Sequence, residues 1–129
     1  MKKIALLFVV SATLFSFNAC KKVEGPGGSS TIKGTVRIQK TVGGNTITYL
    51  AEEEDVYLIY GTDNSFYDDD VKTSYDGTFE FNYLQKGTYK LFVYQDCNTC
   101  ASGKEAVIKT VEISDNKSIQ DIGEITIIK

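Results

Sequence analysis

The stretch Asp76-Gly77-Thr78-Phe79-Glu80-Phe81-Asn82-Tyr83-Leu84-Gln85-Lys86-Gly87-Thr88-Tyr89-Lys90-Leu91-Phe92-Val93-Tyr94 decides the fold of this chain. Phe79 and Phe81 alternate with Glu80 and Asn82. Beyond the Lys86-Gly87 corner, Tyr89, Leu91 and Val93 alternate with Lys90, Phe92 and Tyr94. A period of two sends successive side chains to opposite faces of a strand, so the stretch reads as two strands sharing one buried face. Asp76-Gly77 and Lys86-Gly87 supply the corners, because tight turns need a left-handed backbone that glycine adopts without a steric penalty.

The same signals extend outward. Thr31 to Ile38 alternates with Ile32, Val36 and Ile38 on one face, a first strand. Gly43-Gly44 then breaks two β-prone runs, which predicts a hairpin over residues 35–50. Val56-Tyr57-Leu58-Ile59-Tyr60 is apolar on both faces. It reads as a strand covered by a second sheet, with Val56 and Leu58 toward the core. Gly61 to Asp70 reads as a polar loop and Val71 to Ser74 as a further strand. Ala106–Ile113 and Ile119–Ile128 close the domain, separated by Ser114 to Ser118. No stretch sustains a 3.6-residue apolar period, so no substantial helix is expected after the N-terminal segment. The expected fold is all-β: a seven- to eight-stranded antiparallel β-sandwich over residues 31–129.

Four segments carry a family resemblance. Ile32-Lys33-Gly34-Thr35-Val36, Val56-Tyr57-Leu58, Asp76-Gly77-Thr78-Phe79-Glu80-Phe81 and Leu84-Gln85-Lys86-Gly87-Thr88-Tyr89-Lys90-Leu91 resemble the carboxypeptidase regulatory-like, prealbumin-type (transthyretin-like) sandwich. Asp55 stands where that pattern often has a small residue, and Asp76 directly precedes Gly77. The resemblance covers about residues 31–94 and implies a fold. It implies no one function, since such sandwiches serve as spacers, binding modules and assembly domains.

The N-terminus supplies an address. Met1-Lys2-Lys3 is basic, Ile4 to Phe17 is apolar, and Ala19 precedes Cys20. These are the parts of a secretory signal over residues 1–19, shorter than the roughly 20 apolar residues of a membrane-spanning helix. With cysteine at the cut and Lys21-Lys22 behind it, the chain resembles a Bacteroidetes-type lipoprotein precursor, which implies that Cys20 carries the lipid anchor. Residues 20–30 then read as the lipidated cysteine and a flexible Gly/Ser tether of roughly 15–20 Å. The implied localisation is the cell envelope, at the outer membrane. Lys21-Lys22-Val23-Glu24 holds one acid only, which favours the periplasmic face over surface display.

Composition narrows the function. Residues 1–19 contain two lysines and no acid, so their removal takes the net charge from −3 to −5. An acidic chain without a basic stripe argues against nucleic acid as a partner. Histidine is absent, which excludes Ser-His-Asp and Cys-His nucleophiles and histidine-based zinc sites. No catalytic residue and no cofactor is expected beyond the lipid on Cys20. With Cys20 lipidated, Cys97 and Cys100 are left as an even pair. A structural disulfide is the leading reading in an oxidising envelope, with free thiols or a redox or metal site as alternatives.

Asp63, Asp68, Asp69 and Asp70 cluster near one loop and offer oxygen ligands of the kind calcium takes, although their spacing matches no calcium-loop pattern. Tyr57, Tyr60, Phe66, Tyr67, Tyr75, Phe92 and Tyr94 are candidates for an aromatic surface that a glycan ring would stack on, against the blander reading of cross-strand packing. An isopeptide cross-link from Lys33 has no asparagine partner in residues 123–129. The sequence thus points to a lipid-anchored, non-catalytic module that contacts an envelope protein or serves a structural role. The alternative is a carbohydrate- or calcium-dependent binding domain.

Overall fold

The computed structural model describes residues 23–129, which form eight strands and, among these residues, no helix. The strands are β1 (Pro26–Val42), β2 (Asn45–Leu50), β3 (Asp55–Tyr60), β4 (Asp69–Lys72), β5 (Thr78–Leu84), β6 (Gly87–Asp96), β7 (Lys104–Ile113) and β8 (Ile119–Ile128). They build two sheets. One is organised around β1, with β2, β5 and β8 all paired to it; the other runs β4-β3-β6-β7. The expected sandwich is therefore present. All ladders are antiparallel except one, since β8 runs parallel to β1 from Thr31↔Ile119 to Gln39↔Ile128.

β1 organises its sheet because it is long enough to be shared. Residues 26–35 pair with β5 and residues 37–42 with β2, along the same edge. The handover falls at Val36, whose N–H donates to Gly77 O at 2.8 Å and whose carbonyl accepts from Ala51 N at 3.0 Å. Gly77 has φ +74°, and a Cβ there would stand 2.6 Å from Val36 O. Only glycine fits both the turn and that approach.

The core lies between the inner faces. Ile32, Val36, Phe81, Ile125 and Ile127 from the first sheet meet Val56, Leu58, Tyr89, Leu91, Val93 and Ile113 from the second, all at 2% exposure or less. This bears out the inward assignments of Ile32, Val36, Phe81, Tyr89, Leu91 and Val93. The Gly43-Gly44 hairpin is also present, with Val42↔Asn45 as its last pair and φ of +58° and +83° at the glycines. Its outer part stands clear of the sandwich, exposed on both faces from Gln39 to Leu50.

Three expectations need correcting. The tether does not extend to Ser30: β1 begins at Pro26, Gly25 and Ser30 are buried, and Leu84 pairs with both Pro26 and Ser30 around a bulge. Glycines that read as flexible linker are there for close approach, since a Cβ on Gly28 would fall on the Leu84 carbonyl. The fourth strand is Asp69–Lys72 rather than 71–74, because Thr73 turns inward to bond the 51–54 turn. The outer face of β3 is not covered by a second sheet, as described below. Residues 1–22, with the signal segment and Cys20, lie outside the described residues.

Candidate functional site

Strict alternation puts Tyr57 and Ile59 of β3, Lys90, Phe92 and Tyr94 of β6, and Ala106 and Ile108 of β7 on the face of the second sheet away from the core. The register brings them together: Tyr57 stands opposite Phe92, Phe92 opposite Ile108, and Tyr94 opposite Ala106. A half-buried solvent face with this many rings and branched aliphatics is unusual, because outer faces of antiparallel sheets are ordinarily polar. The contrast lies within the molecule itself. The outer face of the first sheet carries the ion pairs Arg37–Glu124 at 2.8 Å and Lys33–Asp121 at 3.8 Å.

Tyr57 is the centre of the aromatic group. Its ring stacks on Phe92 (centroids 5.0 Å, 19° between planes), tilts against Tyr67 at 4.7 Å and meets Tyr94 edge-on at 5.7 Å. Phe92 and Tyr94 complete the group at 5.4 Å, edge to face. Each such pair contributes about 0.5–1.5 kcal/mol beyond burial. Tyr67 reaches the cluster from the β3–β4 loop, which is folded back onto β3. Asp68 accepts from Tyr60 N at 2.7 Å and its own N–H donates to Leu58 O at 2.8 Å. Lys90 Nζ adds a bond of 2.6 Å to Thr62 O. Thus one side of the face is loop-covered and the other is open.

The open part centres on Tyr94 (43% exposed), Tyr67 (51%) and Ile108 (58%), values that leave ring and aliphatic surface to a partner. Two shallow hollows meet at Tyr94. One of about 200 Å³ is lined by Ile59, Asn64, Ser65, Lys90, Phe92 and Ile108; the other, of about 330 Å³, by Ser102 and Lys104. Neither has the enclosure of a substrate pocket that buries most of a ligand. The rim is charged: Asp70 stands opposite Tyr57, and Lys72 pairs with Asp55 at 2.7 Å. Burial, then Asp55, Tyr67 and Asp70, push the Tyr57 phenol above its usual pKa, so it stays protonated and can donate a hydrogen bond at neutral pH.

Of the aromatic residues singled out from sequence, Tyr57, Tyr67, Phe92 and Tyr94 converge. Tyr60 turns inward, edge-on to Tyr89 at 6.0 Å, and Tyr75 and Phe66 are highly exposed without joining the cluster's ring contacts. Ile59, Ala106 and Ile108 were missed. Their signal was present in apolar residues at both parities of β3 and β6, which the sequence reading assigned to a covering sheet. The cover is instead partial and comes from a loop.

The acids do not form a shared cage. Asp68 is committed to Tyr60 N, Asp69 accepts from Asp70 N at 2.9 Å, and Asp63 accepts from Thr62 Oγ1 at 3.3 Å. Among the described residues, the three-ligand grouping lies elsewhere, at Cys97, Cys100 and Glu105. There the two cysteines are joined as a disulfide with Cα atoms 5.4 Å apart, in the β6–β7 turn where Cys97 N donates to Gly103 O. The pair is thus a disulfide, not two free thiols.

No family model matches this chain, and no curated protein matches it. Among solved structures, it is similar to one from Pseudomonas aeruginosa described as a "putative carbohydrate binding protein", at 15% identity and a TM-score of 0.48. That match covers 81% of this chain and 91% of the other. It is also similar to a DUF3823 family protein from Parabacteroides merdae at 18% identity and a TM-score of 0.33, over 78% of this chain and 46% of that one. Likenesses this distant carry neither fold nor function across.

Proposed function

We propose that this protein is an envelope lipoprotein, anchored through Cys20 at the periplasmic face of the outer membrane, whose sandwich is a non-catalytic module that docks an envelope protein. The observation carrying the reading is the outer-face cluster of Tyr57, Tyr67, Phe92 and Tyr94, open to solvent at Tyr67 and Tyr94, continued by the exposed Ile108 and rimmed by Asp70, Lys72 and Lys90. An apolar, aromatic centre inside a polar rim is the anatomy of a protein contact, with tyrosines as the energetic anchors.

The titrating groups support a non-enzymatic role. Asp76 and Asp96 sit below the usual carboxylate range through hydrogen bonds from Thr78 and Lys104. Lys72 is raised by its bond to Asp55, and Tyr57, Tyr60 and Tyr89 are raised by burial. All of these shifts lead away from neutrality, whereas acid–base catalysis needs groups tuned toward it.

A glycan is the second reading, favoured by the exposed rings of Tyr67 and Tyr94 beside Asn64 and Lys90. The Tyr57–Phe92 stack weighs against it, because those ring faces are spent on each other. Calcium dependence has no shared cage to rest on. The test compares Ile108→Lys and Tyr94→Ala with wild type in pull-downs from native membranes and in a polysaccharide screen. A protein partner retained by wild type and lost in both variants supports the proposal. Saturable glycan binding lost in Tyr94→Ala but kept in Ile108→Lys overturns it in favour of the second reading.

A further inference from the structure

We propose that the end of the sandwich around Glu24 and Gly25 rests on the lipid surface itself, so that the domain stands upright on the membrane. The inference rests on lipidation of Cys20. It follows from how the first described residues are held. Glu24 accepts from Thr88 N at 3.4 Å, Gly25 O accepts from Gln85 N at 2.9 Å, and Gly25 N donates to the Tyr89 hydroxyl at 3.0 Å. The chain is therefore fastened to the sandwich from Glu24 onward. Three residues lie between Cys20 and Glu24, so the four residue-to-residue steps reach at most about 14 Å even when fully extended. A lipid at Cys20 would hold this end within touching distance of the headgroups.

The surface at that end suits such contact. The β5–β6 turn lies beside Gly25, through Gln85 Nε2 to Pro26 O at 2.9 Å. The β7–β8 turn is tied to the same end by Lys117 N to Ser29 Oγ at 3.1 Å and Ser30 Oγ to Asp115 O at 3.0 Å. Around these turns Val23, Tyr83 and Ile119 are 67%, 74% and 66% exposed, with Lys86 and Lys117 also exposed. Tyr83 has φ +60°, an uncommon conformation for an aromatic residue, and its ring is left in solvent. Exposed tyrosine and aliphatic groups among lysines match the headgroup layer, where amphipathic rings settle and lysines meet anionic lipid. Three acids lie nearby: Glu24 is turned onto Thr88, while Asp115 and Glu112, the latter opposite Thr88, are exposed. At the other end, β1 carries the Gly43-Gly44 turn about 50 Å away at the usual strand rise. The disulfide-bearing β6–β7 turn points the same way.

The absence of tryptophan makes the test direct. Tyr83→Trp and Tyr49→Trp are made in the full chain, purified as the lipidated protein and placed in phosphatidylethanolamine–phosphatidylglycerol vesicles with a brominated-lipid fraction. Mass spectrometry of the Cys20 peptide first establishes the lipid. Emission from the indole at position 83 should be quenched severalfold more than that at position 49. If Tyr83→Trp fails to fold, Val23→Trp replaces it. Lengthening the segment after Lys22 by about ten Gly/Ser residues should weaken the quenching while leaving the protein on vesicles. An unlipidated Cys20 overturns the anchoring reading. A lipidated protein with equal quenching at both positions overturns the orientation alone.

Discussion

Replacing Tyr89 with Phe isolates the bond that fastens the N-terminal segment to the sandwich. The Tyr89 ring is fully buried, and its hydroxyl donates to Gln85 O at 2.7 Å while accepting from Gly25 N at 3.0 Å. Tyr89→Phe keeps the ring and its edge contact with Tyr60. It deletes two bonds: losing the one to Gln85 O costs about 1 kcal/mol net, and losing the acceptor leaves the buried Gly25 N–H unpaired, at a further cost of about 1–3 kcal/mol. The expected loss is about 2–4 kcal/mol, which for a domain of this size lowers Tm by about 8–16 °C. Urea denaturation measures the loss, and amide exchange at Gly25 and Gln85 locates it.

The same variant has a pH signature. Burial raises the Tyr89 pKa, so the unfolded chain ionises at this position first as pH rises. A raised folded pKa gives stability that is complete below the unfolded value and is lost as pH climbs through the folded one. The gap between wild type and Tyr89→Phe should therefore be constant through neutral pH and narrow above about pH 10. A gap below about 0.5 kcal/mol would show that the bonds contribute less than a typical net hydrogen bond. A full loss with unchanged exchange at Gly25 would show that the N-terminal segment is held by something else.

Other outcomes can be checked in the same denaturation assay. Gly77→Ala should cost more than the roughly 1 kcal/mol of a left-handed alanine, because its Cβ would also press on Val36 O at 2.6 Å. Removing the disulfide with Cys97→Ser and Cys100→Ser should cost about 2 kcal/mol or less, since the loop it closes is so short; a loss above about 4 kcal/mol would contradict the loop-closure account. Asp76 is held below the usual carboxylate range by hydrogen bonds from Thr78, with Oδ1 at 2.6 Å from Thr78 Oγ1 and 3.1 Å from its N–H. A depressed folded pKa gives stability that is lost as pH falls, so Asp76→Ala should be destabilised at neutral pH and approach wild type below about pH 4.

Much of the sandwich was legible in the sequence because its signals are local. A period of two shows wherever one face is buried and the other wet, which made Phe79, Phe81, Tyr89, Leu91 and Val93 readable. Gly43-Gly44 and Asp76-Gly77 marked turns for equally local reasons. Two features escaped, each for a physical cause. The parallel pairing of β8 with β1 joins residues about ninety apart, such as Thr31 and Ile119, and alternation in either strand says nothing about its neighbour. Gly25, Gly27 and Gly28 have the composition of a tether, yet Gly27 and Gly28 lie in a bulge of β1, with Gly28 pressed against Leu84, and Gly25 is buried beside the Tyr60 ring. Composition does not separate glycine used for freedom from glycine used for clearance.

The recognition face was half legible. Tyr57, Phe92 and Tyr94 were named as candidates, but alternation shows only that β3 and β6 are apolar at both parities, not what lies over the second face. That depends on the β3–β4 loop, whose position is set by Asp68 returning to Tyr60 N and Leu58 O. The same acid that read as a calcium ligand is the latch that carries Tyr67 to Tyr57 and leaves Tyr94 and Ile108 uncovered. Asp68→Ala therefore bears on both readings. A latch role predicts that the loop loosens and partner binding weakens whether or not calcium is present, with the β-sandwich still folded. Binding by Asp68→Ala that weakens only when calcium is supplied would restore the ion and remove the latch.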